Sequence, residues 1–242
     1  RVDDPADEHS SLRAGSTAVL LVVLDAPVGI ELLVVVQVYG LESHAPSCQS
    51  QTAAFRYSAS ILDADHTFLN DALAAHYEIP NVTGPEWRRV DGVRQYGRGG
   101  ILAQGTTLAA NSGASRTSPI LRGVWISEVL LGERLPKPPA GVPPLPDDQA
   151  ASDELTVRQL VERHVSDPKC SVCHRRIDPY GFALEEYDAI GRRRATEPNG
   201  QPIDPRGVLT DETELNGVDG LRNYLVETRR SAFVRQFCKK LL

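Results

Sequence analysis

The chain has 242 residues, of which 41% are apolar and 24% charged, and its net charge is −6. That balance is ordinary for a globular protein with a real core, and it excludes a polybasic binder of nucleic acid. The four cysteines, Cys48, Cys170, Cys173 and Cys238, are too few and too scattered for a disulfide scaffold.

The chain contains no methionine and begins at Arg1, so it is expected to be a segment of a larger polypeptide. Residues 1–17 are polar and acidic. Residues 18–39, AVLLVVLDAPVGIELLVVVQVY, are strongly apolar, but Asp25, Pro27, Gly29 and Glu31 cut them into two runs. Each run falls short of the ~20 residues that cross a bilayer, so the expectation is two buried β-strands joined at Asp25–Gly29 and no membrane span. Residues 40–55 read as a linker.

From about residue 56 the pattern turns helical. Asp65 is placed to cap a helix through Tyr77, with Phe68, Leu69, Ala72, Leu73 and His76 on one side. A second short apolar stretch lies in Gly97–Ser112. Ser118-Pro119 reads as a cap followed by proline in the first turn, and opens a helix that stops at Gly132. Residues 136–146 hold six prolines and form an extended, semi-rigid boundary. After it come an amphipathic helix over 154–165, the cysteine segment, a helix over 182–190, a Gly/Pro-rich loop over 198–208, and helices over about 217–228 and 231–242. Cys238, on the apolar side of the last, is expected to be buried.

The chemistry is concentrated at Ser166–Gly191. Asp167-Pro168 is a second cap-and-proline start. A helix from there puts Cys170, Cys173 and His174 on one face, at i, i+3 and i+4. Two thioethers on that face fix the edge of a porphyrin, and the adjoining imidazole reaches its iron. C-x-x-C-H is the attachment signal for c-type haem. A ligating histidine needs an acceptor for its other ring nitrogen. A turn at Ile177–Gly181 is expected to supply a backbone carbonyl from Ile177 to Pro179. Phe182, Leu184 and Tyr187 are candidates to pack on the macrocycle. Arg192, Arg193 and Arg194 either reach its propionates or form a solvated surface run.

With no methionine, a sixth iron ligand within this chain is sought among His9, His44, His66, His76 and His164. His164, just before the Asp167-Pro168 break, is the first choice and His76 the second. A five-coordinate iron stays open as well. The same cysteines admit a thiol redox pair, which would want a preceding strand that is not seen, or a zinc site, which would want two further close ligands.

Three stretches carry a resemblance: residues 98–146 with R-T-S-P-x-x-R-G and the proline run, residues 164–194 with C-x-x-C-H-x-x-x-D-P-x-G-F-A-L-E, and the closing Val218–Leu242. The piece at 61–80 joins them. Together they resemble the C-terminal part of large planctomycete-type cytochrome c-like proteins, which are built from several domains of unknown function. The resemblance implies one covalent haem c on Cys170, Cys173 and His174, and an exported, periplasmic or cell-surface location. Residues 1–55 do not share it and stay unassigned, as a divergent or disordered start. The fold expected is mostly α: a small helical domain over 56–135, a Pro-rich linker over 136–150 and a cytochrome c-like haem domain over 151–242. The function expected is an electron-transfer module with an unknown redox partner protein. The alternative is a peroxidase-like haem oxidoreductase with an open iron position.

Overall fold

The computed structural model describes residues 60–136, 155–165 and 168–241, and the backbone of two strands, 17–24 and 32–39. About half of what is described is helical, with a few short strands. Among the described residues no helix is long and apolar enough to cross a membrane. The chain divides into two compact units, Arg1–Tyr57 and Ser58–Leu242.

In the first unit, β1 (Thr17–Leu24) pairs antiparallel with β2 (Leu32–Tyr39), Thr17 opposite Tyr39 and Leu24 opposite Leu32. These are the two strands expected from the split apolar run. The turn expected at Asp25–Gly29, Cys48, His9 and His44 lie outside the described residues.

The second unit opens differently from the expected helix over 65–77. His66–Leu69 form β3, paired antiparallel with β4 (Arg88–Asp91). Only Asp71–His76 is helical (α1), capped by the Asn70 side chain, which accepts from the Leu73 N–H at 2.9 Å. Asp65 is used elsewhere, its carboxylate accepting from the Arg94 N–H. The apolar spacing of Phe68, Leu69, Ala72 and Leu73 suits a helix, but strand pairing with the distant Arg88–Asp91 overrides it.

Two 3₁₀ turns, Val93–Tyr96 and Ile101–Ala103, lead to α2 (Gly105–Ala110) and α3 (Pro119–Val124). Ser118 caps α3 as expected, accepting from the Leu121 N–H, with Pro119 in the first turn. The helix continues as a π-helical segment, Trp125–Leu130, and ends before Gly132, whose φ is 68°.

Beyond the proline run, α4 (Val157–His164) starts at a capping box of Thr156 and Gln159. Next come α5 (Pro168–Phe182), the hairpin of β5 (Arg206–Val208) and β6 (Glu214–Asn216), α6 (Gly217–Glu227) and α7 (Arg230–Leu241). The helix expected over 182–190 is absent, since α5 ends at Phe182 and turns follow. Cys238 is exposed, not buried, because α7 turns Phe233 to the core instead.

Two clusters of buried apolar residues hold this unit: a smaller one of Leu69, Ala74, Tyr77, Ile79 and Val93, and a larger one. Leu102, Trp125, Ile126 and Leu130 pack there with Tyr180, Leu184, Tyr187, Leu221 and Phe233. Residues from both sides of the proline run thus share the larger cluster, within the compact unit Ser58–Leu242.

Candidate functional site

The site is built on the crossing of α3 and α5. A Cβ on Gly123 would fall on the Ile177 carbonyl, and one on Gly181 on the Pro119 carbonyl. Gly123 is therefore opposite Ile177 and Pro119 opposite Gly181, so the helices run antiparallel at backbone contact. Only glycine allows that approach. The two motifs R-T-S-P-x-x-R-G and D-P-x-G-F-A-L-E are the two halves of this one joint.

A polar network locks it. Arg122 is 1% exposed. Its guanidinium donates to the carbonyls of Leu184 (2.7 Å), Tyr187 (2.8 Å) and Asp188 (2.8 Å), and to the Ser112 hydroxyl and the Glu185 carboxylate. Glu185 also accepts from the Thr117 hydroxyl at 2.6 Å and from Arg194 at 3.3 Å. Burial pushes the Glu185 carboxyl up, against the pull of Arg122, Thr117 and Arg194. Arg98, equally buried, donates to the Ala103 and Gly191 carbonyls and lies 3.9 Å from the Tyr77 ring centroid. Burial also raises the Tyr187 phenol to about 12.

This joint holds α5 in place, and α5 carries Cys170, Cys173 and His174 on one face. Both thiols are free and half-buried, and Val172 between them is 55% exposed. His174 is buried, and its Nδ1 lies 2.9 and 3.0 Å from the two Asp178 carboxylate oxygens. A carboxylate accepts, so Nδ1–H donates. This corrects the expected backbone carbonyl from a turn at 177–181. The helix does not turn there but runs through Pro179 to Phe182, which keeps Asp178 one turn beyond His174 and in reach of it.

The other expected residues fall as follows. Pro179 lies under β5, where a Cβ on Gly207 would come 2.7 Å from its Cα. Phe182 is buried with the Arg158 guanidinium of α4 over its ring, 3.9 Å from the centroid. Leu184 and Tyr187 belong to the core. Arg194 pairs with Glu185 and Glu197, and Arg193 with Glu186. His76 Nε2 is 2.9 Å from the Ile190 carbonyl, and its Nδ1 accepts from Arg192 Nε at 3.4 Å. His66 sits in β3. His164 is the last residue of α4, and its side chain lies outside the described residues. Asp178 and the buried arginines were missed as functional residues. The D-P following C-x-x-C-H at i+4 is the signal that would have found Asp178.

Among the described residues, no three His, Cys, Asp or Glu side chains converge on a point where a metal ion could be held. The arrangement can instead offer two thiols for covalent attachment and one oriented imidazole.

Residues 98–197 match the family model PSCyt3, a protein of unknown function (DUF1588). That stretch is thus similar to a planctomycete-cytochrome-type domain of unknown function, over less than half of the chain. The match begins at Arg98 and ends at Glu197, so it takes in the α3–α5 joint, the Arg122–Glu185–Arg194–Glu197 network and the whole C-x-x-C-H-x-x-x-D-P segment. The β5–β6 hairpin, α6 and α7 lie outside the PSCyt3 match but inside the same compact unit. No curated protein and no solved structure matches the chain.

Proposed function

We propose that this chain carries one covalent haem c, with Cys170 and Cys173 as the thioether positions and His174 as the axial iron ligand, and that it serves as an exported electron-transfer module. The observation that carries the proposal is the ordering of His174. With Nδ1 donating to Asp178, Nε2 is the nitrogen assigned to iron, and the ring is oriented as ligating histidines are. The two thiols are free, half-buried and three residues apart on the same helix face. A zinc site would need ligands converging from several elements. A porphyrin brings its own four nitrogens and asks the protein only for anchors and an axial imidazole. The PSCyt3 match over the same segment supports the reading.

When bound, haem supplies one-electron exchange between ferric and ferrous iron. The chain's own residues anchor and orient it, and the α3–α5 joint keeps the anchoring helix rigid. Haem c is attached outside the cytoplasm, so the proposed location is the periplasm or cell surface, with a redox protein as partner.

His164 is carried as the sixth ligand. Replacing it by alanine is expected to turn a low-spin ferric spectrum high-spin, and an unchanged spectrum would remove it. One observation favours a second reading: a carboxylate on Nδ1 makes the imidazole a stronger donor to iron. That suits a haem oxidoreductase with an open iron position, whose wild-type resting spectrum would already be high-spin.

The proposal is tested by producing the protein in the periplasm of a host that matures c-type cytochromes. Haem staining of a denaturing gel and a pyridine haemochrome spectrum follow. A band that keeps its haem, and loses it in Cys170→Ala/Cys173→Ala, supports covalent haem. A colourless wild type from a competent host rejects it.

A further inference from the structure

His174 is held by a carboxylate that its own helix provides. The i, i+4 spacing places Asp178 one turn on, both of its oxygens are within 3.0 Å of Nδ1, and Asp178 is 7% exposed. The residue is kept there by two further features. Pro179, next to it, is covered by β5 at Gly207, and the neighbouring Ile177 and Gly181 are pinned against Gly123 and Pro119 of α3. The acceptor is thus neither a loop carbonyl nor an exposed acid. It is a buried charge clamped into a helix that two other elements hold still.

We infer that Asp178 is a positioning residue for the axial imidazole, and that its buried carboxylate sets a low reduction potential on the iron. This rests on the proposed haem site. The physical argument has two parts. A charged acceptor polarises the imidazole more than a neutral carbonyl does, which makes it a better donor to iron. A negative charge in a poorly screened interior also favours the oxidation state with the greater positive charge. Both effects stabilise ferric over ferrous iron. Reduction adds one electron, drawn in the experiment from chemical mediators, and the inference requires no proton to move with it.

The test uses the matured holoprotein, wild type and Asp178→Asn, in a mediated spectroelectrochemical titration at one fixed pH. Asparagine keeps an oxygen acceptor of the same reach and removes the charge. The expected result is a potential raised by the equivalent of a tenfold or larger change in the ferric/ferrous equilibrium, about 59 mV per tenfold for one electron. Asp178→Glu, which restores the charge, is expected to bring the potential back toward wild type. A potential in Asp178→Asn equal to wild type overturns the inference, as does a rise that Asp178→Glu fails to reverse. Should Asp178→Asn not accumulate, Asp178→Ser makes the same comparison of an uncharged oxygen. A wild type without covalent haem would be a different failure, that of the parent reading, visible before any potential is measured.

Discussion

Arg122 makes hydrogen bonds to five separate groups from a position that is 1% exposed, and three of the acceptors are backbone carbonyls in the turn after α5. A planar fork can reach them together, whereas an ammonium cannot. Arg122→Lys is expected to lose about 3 kcal/mol in a urea unfolding series, the cost typical of leaving buried charge partners unmet, while a change below 1 kcal/mol would contradict the role. At this scale the C-x-x-C-H spacing of Cys170, Cys173 and His174 could be read directly from the sequence, and all three lie on one face of α5. The partner of His174 was legible only as a need. The Ile177–Gly181 stretch reads locally as a turn, since proline breaks an internal helical hydrogen bond. Backbone packing on α3 keeps it helical, and that packing depends on residues more than 50 positions upstream. The buried arginines were unreadable for the same reason: nothing local distinguishes Arg122 from a solvated arginine on a helix.

Between elements, the close crossing of α3 and α5 decides where the C-x-x-C-H face points. Gly123→Ala would place a methyl on the Ile177 carbonyl and push the helices apart. It is expected to cost about 1–3 kcal/mol, the range for overpacking, or somewhat more. A thermal unfolding midpoint equal to wild type would show that the helices are not in backbone contact. Helices α3, α4, α6 and α7 could be anticipated, α3 from the Ser118 cap and α4 from its amphipathic spacing, although α4 begins at Val157 behind the Thr156/Gln159 capping box and not at 154. Strand β3 could not, because its register with Arg88–Asp91 is a tertiary fact and its apolar spacing also fits a helix.

At the scale of the whole unit, α4 is tied to the rest beyond the proline run. Arg158 covers Phe182 of α5 and donates to the carbonyls of Asp204 and Arg206. Asp204 in turn is held at about 2, chiefly by the Arg206 side chain, which is hydrogen-bonded to it at 2.8 and 3.0 Å, with the Arg206 N–H and the Arg158 charge adding to this. Its carboxylate is lowered relative to the ~3.9 of an unfolded aspartate, so its contribution is fully present above pH ~4 and is lost as the pH falls toward 2. The side chain is 38% exposed, so screening limits the contribution to on the order of 1 kcal/mol or less. Urea midpoints of wild type and Asp204→Asn are expected to differ near neutral pH and to converge near pH 2. A gap that persists at pH 2 would contradict this. The sequence was read as two domains about the proline run. Residues on both sides of that run contribute to the larger apolar cluster, a packing that the linker's composition does not encode.

The central claim, covalent haem on this helix, is tested most directly by intact mass spectrometry under denaturing conditions, on protein exported through a cytochrome c maturation system. The account predicts a chain heavier by one haem, with the addition mapping to the peptide that holds Cys170 and Cys173 and vanishing in the double alanine variant. A chain of unmodified mass, with both thiols still open to alkylation, would contradict it.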